Sequence, residues 1–236
     1  MALITASLNI NCFSTIKNGD EIFKDKFNIL VELNRLKKEF IYLLADVGPY
    51  ESFKNYEILC SLVRELNKIN FTPRLLTSGR YFLENQRTIH QFRDLEKLGV
   101  AKTVLRLDKR TAIEIPDQNI VNYVDASGAI GQPPFIRFDI EDNMHERFYE
   151  ILRLVENYRF YNDIYLKKRS VYVRKKEDKL PNNADSYYRL IIDGNGDVLL
   201  RTLNDSLIEF EVGNLNERSL SEMFELHQHS CLQEVY

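Results

Sequence analysis

An apolar octet, Phe40-Ile41-Tyr42-Leu43-Leu44-Ala45-Asp46-Val47, lies between two stretches of helical periodicity. This alternation constrains the fold more than any other feature of the chain. A nearly unbroken apolar run reads as a strand covered on both faces, the setting of a parallel sheet under helices. Before it, Glu21–Lys38 places Ile22, Phe23, Phe27, Leu30, Val31, Leu33 and Leu36 on one helical stripe, with Asp20 as the N-cap. After it, Asn55–Asn67 repeats the pattern through Tyr56, Ile58, Leu59, Leu62, Val63 and Leu66. The grammar continues with a strand over Thr72–Thr77, a helix over Ile89–Leu98 closed by Gly99, and a strand over Ala101–Leu107. A short helix over Asp117–Ala126, a strand over Pro134–Ile140, a helix over Met144–Tyr158 and a strand over Ile164–Val173 follow. With Ala2–Ile10 as the first strand, the β-α unit recurs about five times before a sixth strand. Parallel strands with right-handed crossovers follow, as a partial barrel or an open doubly wound sheet.

The pattern changes after residue 184. Tyr187–Ile192, the turn Asp193-Gly194-Asn195-Gly196 and Asp197–Arg201 read as a β-hairpin. Asp205–Val212 reads as a further strand and Ser219–His227 as a short helix. The charged stretch Lys175–Asn183 is the best boundary, dividing the chain into 1–178 and an appended module, 184–236.

Composition excludes several classes of function. The 32 basic and 35 acidic residues nearly balance, so nothing favours a polyelectrolyte partner such as nucleic acid. Cys12, Cys60 and Cys231 are odd in number and far apart, which fits neither a disulfide framework nor a closed zinc site. No signal peptide pattern and no membrane-length apolar run is present, so the expectation is a cytoplasmic protein without a membrane partner.

In βα folds, ligands bind at the carboxyl ends of the strands. Those ends fall at Asn11, Asp46, Ser78, Asp108 and Asp139, with Gly48 beside the second. Asp46, Asp108 and Asp139 together could hold a hard cation or divide acid and base roles. The competing expectation is that these residues cap the helices that follow, because Asp and Ser are favoured N-caps. Cys60 falls on an apolar helical stripe and reads as a core residue. His227 and His229 near Cys231 are too few for a closed zinc site. Tyr158, Phe160, Tyr161, Tyr165 and Tyr172 alternate with Arg159, Lys167, Lys168 and Arg169. This pattern reads first as a protected sheet edge, then as a peptide grip, and last as a nucleic-acid surface.

Several strand ends also carry a resemblance. Strand two ends Asp46-Val47-Gly48-Pro49-Tyr50, strand three Leu76-Thr77-Ser78-Gly79, and strand four Leu105-Arg106-Leu107-Asp108. In order and spacing these resemble the GGEP-, TNG- and SxD-type turns of radical SAM domains. The tail segments IIDGNGDVLL and VGNLNERSLSEMFE resemble the SPASM extension. The resemblance implies a partial (β/α)6 barrel with a small α+β SPASM-like tail. The family's CxxxCxxC loop supplies three thiolates to an iron–sulfur cluster, and soft sulfur ligands are what such a cluster requires. Here Cys12 is followed by Ile16 and Gly19 at the other two positions, and neither side chain can ligate iron. Pro49 stands near the place of the GGEP acid, Leu200 or Arg201 near that of the first SPASM cysteine, and Arg106 in place of the small serine.

The expectation is therefore a pseudoenzyme without a cofactor. It would serve as a binding or partner subunit in ribosomal peptide maturation and contact a maturase or a precursor peptide, with strand addition at an open edge as one mode. Two alternatives stand beside it: a barrel enzyme working through Asp46, Asp108 and Asp139, and an α/β domain unrelated to that family.

Overall fold

The computed structural model describes residues 2–8, 26–48, 53–140, 145–156, 163–168, 173–176, 187–202 and 208–224. The protein is a mixed α/β structure of two compact units. The first comprises Met1–Asp46, Glu65–Phe71 and Val171–Tyr236; the second comprises Val47–Arg64 and Thr72–Ser170.

The second unit holds the repeating β-α pattern. Strands β3 (Thr72–Thr77), β4 (Lys102–Leu107), β5 (Phe135–Ile140) and β6 (Asp163–Lys168) lie side by side in chain order, and every pairing is parallel. The strand expected over Ile164–Val173 divides in two. β6 ends at Lys168, and Val173–Lys176 forms β7, which pairs in the first unit. β propensity is scored residue by residue and does not reveal that a run serves two different partners.

Strand alternation gives this sheet two unlike faces. Leu75, Leu105, Leu107, Ile136 and Phe138 point to one side and are fully buried. Helix α6 (Glu146–Glu156) packs there through Phe148, whose ring centroid lies 4.9 Å from that of Phe138. Helices α3 (Asn85–Lys97), α5 (Asp117–Ala129) and α6 pack side by side in that layer. Helix α2 (Tyr56–Lys68) precedes them, and its Cys60 is buried. The helix α3 ends where Gly99 takes φ +88°, the positive value that makes glycine the favoured residue at a helix C-terminus.

Tyr123 of α5 joins this layer to the strands. Its ring is fully buried and stacks on Phe82 at 5.9 Å. Its hydroxyl lies 2.9 Å from the Thr103 carbonyl and 2.8 Å from the Phe135 carbonyl, and it accepts the Phe135 N–H at 2.8 Å. Burial raises the phenol pKa well above its ordinary value, so the group remains a neutral donor.

The first unit orders its strands β2-β1-β8-β9-β10-β7. β1 (Ala2–Leu8) runs parallel to β8 (Tyr187–Ile192), and β8 turns back into β9 (Asp197–Thr202) as the expected antiparallel hairpin. In that turn the Asp193 carboxylate accepts the N–H groups of Asn195 and Asp197, and Gly196 takes φ +84°. β10 (Ile208–Asn214) pairs antiparallel with β9 and parallel with β7. β2 covers only Leu44–Val47, half of the octet. Phe40 makes an isolated bridge to Leu3 and packs edge-on against Phe71, whereas Ile41 and Tyr42 are about half exposed at 47% and 58%. The apolar run thus reports two local environments and not one buried strand.

Helix α1 (Lys26–Arg35) continues into a 3₁₀ turn over Leu36–Glu39. Its Glu32 is 5% exposed and accepts hydrogen bonds from the Ser221 N–H and hydroxyl, tying α1 to the short helix at 220–224. That helix opens on a capping box. The Ser219 N–H donates to Glu222, and the Glu222 N–H donates to the Ser219 hydroxyl. The sequence expectations for Asp20, the start of the helix at 21–25, Asp205 and the end of the terminal helix at 225–227 lie outside the described residues. No helix among the described residues is long and apolar enough to cross a membrane.

Two stability experiments follow. Tyr123→Phe strands the half-buried Phe135 N–H and is expected to cost about 1–3 kcal/mol in urea unfolding. The Ser219 hydrogen bonds hold the Glu222 carboxyl below its ordinary pKa. Its contribution is therefore complete above the unfolded value of about 4.3 and is lost as pH falls through the depressed folded value. Glu222→Gln is expected to flatten the acid limb of stability below about pH 4.3, as read by urea midpoints.

Candidate functional site

The ends of β3, β4 and β5 converge in the second unit, and three features of the local sequence shape them. After β3, the backbone turns at Gly79 with φ +77°. The positive φ favours glycine, and a Cβ there would come within 2.7 Å of a Leu105 methyl and 2.8 Å of an Ile115 methyl, which would have to shift. Helix α5 holds the turn from the other side. Asn119 donates to the carbonyls of Gly79 and Arg80 at 3.0 and 3.1 Å, and Asn122 donates to that of Phe82 at 2.7 Å.

After β4, Asp108 starts a helix the sequence patterning does not show, α4 (Lys109–Glu114). Asp108 and Thr111 form a reciprocal capping box. The Thr111 N–H donates to the Asp108 carboxylate at 2.7 Å, and the Asp108 N–H donates to the Thr111 hydroxyl at 2.8 Å. Six residues are too few to register a helical period, but the Asp-x-x-Thr spacing is a legible start signal.

Within β5, Asp139 is 4% exposed, and two arginines bracket it. Arg106 of β4 donates its Nε to one carboxylate oxygen at 2.5 Å, and Arg137 of β5 donates its Nε to the other at 2.8 Å. Arg106 and Arg137 are direct neighbours in the β4–β5 register. They share with Asp139 the face opposite the helix layer, on which Arg74 and Lys102 also lie. Lys102 sits with its ammonium 3.8 Å from the Phe135 ring centroid. The composition balances charge over the whole chain, whereas the Arg106–Asp139–Arg137 group sets two cations against one carboxylate.

The remaining residues of the sequence-derived set are distributed differently. Asn11 lies outside the described residues, as do Cys12, Cys231, His227, His229 and the aromatic residues at 158, 160, 161 and 172. Asp46 is buried at the end of β2 in the first unit, and its carboxylate lies 3.9 Å from a terminal nitrogen of Arg189. Gly48 takes φ +133°, and a Cβ there would fall 2.4 Å from the Leu76 carbonyl oxygen. Close approach of two backbones accounts for that glycine. Ser78 is 1% exposed, and among the described residues its hydroxyl has no hydrogen-bond partner. Among the described residues, no three His, Cys, Asp or Glu side chains gather as a metal site would require.

A groove of about 400 Å³ between α2 and α3 is lined by Tyr56, Cys60, Arg64, Asp94 and Lys97. Burial pushes the Cys60 thiol pKa up, which keeps it protonated and a poor nucleophile. The Tyr56 hydroxyl beside it donates to the Gln91 carbonyl at 3.0 Å.

Among known proteins, no family model matches the chain and no curated sequence matches it.

Asp108→Ala removes the carboxylate half of the α4 capping box and is expected to cost about 1 kcal/mol. Asp108→Ser should recover most of the loss in denaturant titration, because a serine hydroxyl caps nearly as well.

Proposed function

We propose that the chain is a binding protein on a partial (β/α)6 barrel similar to that of radical SAM proteins, with a SPASM-like C-terminal module. It acts as a non-catalytic subunit in peptide maturation, engaging a precursor peptide or a catalytic partner. The observation that carries the binding role is the use made of the strand-end acids. Asp108 caps a helix and Asp139 braces two arginines. Carboxylates so engaged serve positioning better than proton transfer.

The consecutive parallel order β3-β4-β5-β6, with its helix layer on one face, supports the barrel reading. A doubly wound sheet would instead carry helices on both faces. β6 closes the strand order and pairs with β5 alone among the described residues, which suits an extended peptide added at its outer edge.

The family's iron–sulfur cluster does not fit this chain. Cluster ligation needs thiolates grouped in one loop. Of the three cysteines, Cys60 is buried on α2 with its pKa raised, and Ile16 and Gly19 stand where the loop needs sulfur.

Anaerobic reconstitution with iron and sulfide tests the cluster-free reading. The expected product is colourless protein after desalting. A stable brown species absorbing broadly near about 400 nm overturns it. Affinity capture of the tagged chain from its own host tests the partner role. The expected catch is a cluster-bearing maturase or a short precursor peptide, and recovery of neither counts against a subunit role.

A further inference from the structure

The geometry points to Arg106 and Arg137 as a clamp for a small oxyanion, a phosphate or carboxylate group, at the carboxyl ends of β4 and β5. The clamp stands whether or not the partner is a peptide.

Three observations carry it. First, each guanidinium spends only its Nε–H on Asp139. Among the described residues, the terminal nitrogens of both have no acceptor, which leaves two planar forks of donors (five N–H groups per guanidinium in all) largely unspent. Second, among the described side chains one carboxylate, that of Asp139, faces two guanidiniums, an excess of one positive charge. Asp139 is 4% exposed and the arginine side chains are 28% and 21% exposed. The charge is thus partly desolvated yet reachable. Third, Ser78 directly follows the last paired residue of β3. Thr77 pairs with Leu105 and Leu105 with Ile136, and the residues that follow these three are Ser78, Arg106 and Arg137. Adjacent strands stand about 4.8 Å apart. Among the described residues, the Ser78 hydroxyl is buried without a hydrogen-bond partner.

A buried hydroxyl without a partner and two underused guanidinium forks suit an acceptor with several oxygens. Arginine forks bind carboxylate and phosphate bidentately, and charge-assisted bonds of this kind are the strong ones. Asp139 fixes both side chains by their Nε atoms before a ligand arrives, which lowers the entropy lost on binding.

The test is thermal unfolding of the full chain in inorganic phosphate and in acetate, each against sodium chloride at equal ionic strength. An anion that binds the folded state raises Tm with concentration by mass action. Phosphate is expected to raise Tm beyond chloride, and Arg106→Gln with Arg137→Gln together should weaken that response at least tenfold in apparent Kd. Arg110→Gln, on an exposed side chain of α4, should leave it within about twofold, which separates the clamp from general screening. A response to acetate stronger than that to phosphate assigns the site to carboxylates, a response to phosphate alone assigns it to phosphoryl groups, and equal responses assign it to both. If the double variant does not fold, arginine side-chain NMR of the unaltered chain decides. Phosphate should shift the Nε–H signals of Arg106 and Arg137 and not that of Arg110. No Tm gain over chloride for either anion, a double variant that keeps the full gain, or unmoved Arg106 and Arg137 signals would overturn the assignment.

Discussion

The hydroxyl of Tyr123 is the interaction on which the second unit depends. It is the polar tip of a fully buried ring, and it meets the backbone of β5 and the backbone of β4 at once. Phe82 and Phe92 pack on the ring at centroid distances of 5.9 Å, and Phe53 packs on those two at 4.8 and 5.9 Å. Aromatic pairs at such separations add to burial itself. The hydrogen bonds fix α5 relative to the strands, and α5 in turn holds the β3 turn through Asn119 and Asn122. A single helix therefore sets the positions of the β3 end, which carries Ser78, and of the strands that carry Arg106 and Arg137.

The two faces of that sheet divide the labour. One face is apolar and covered, and its burial drives folding. The other carries arginines, a lysine and one buried aspartate. Breaking such a buried ion group from one side is costly, about 3–5 kcal/mol, whereas an apolar replacement of the whole group is often neutral. The Arg106–Asp139–Arg137 group is thus costly to break from one side without adding much to net stability.

Much of this fold is legible in the sequence. β3 has the bounds expected of a short strand ending at the Ser78-Gly79 turn, and the ends of α2, β4 and β5 fall within a residue or so of expectation. The hairpin of β8 and β9 follows from its Asp-Gly-Asn-Gly turn, whose chemistry is local. α4 escapes because one capped turn and a half carries no period, and the late start of β2 escapes because an apolar run does not report how far each residue is covered. At the site, Asp108 and Asp139 are conspicuous in the sequence as acids at strand ends. Their partners are not. Thr111 is three residues from Asp108 and readable as a cap, but Arg106 is 33 residues from Asp139. Read alone, Arg106 is a bulky replacement for a small residue; in the structure it is half of a pair.

The sequence by itself determined the element types, the parallel character of the β-α repeat and the absence of a thiolate loop. Each follows from spacing over fewer than about 20 residues, where periodicity and turn chemistry act. Only the tertiary structure decided that β8 pairs with β1, that β7 leaves β6 for β10, and that two arginines share one aspartate. Those outcomes depend on strand register between distant segments, and register is a property of pairs that no single segment encodes.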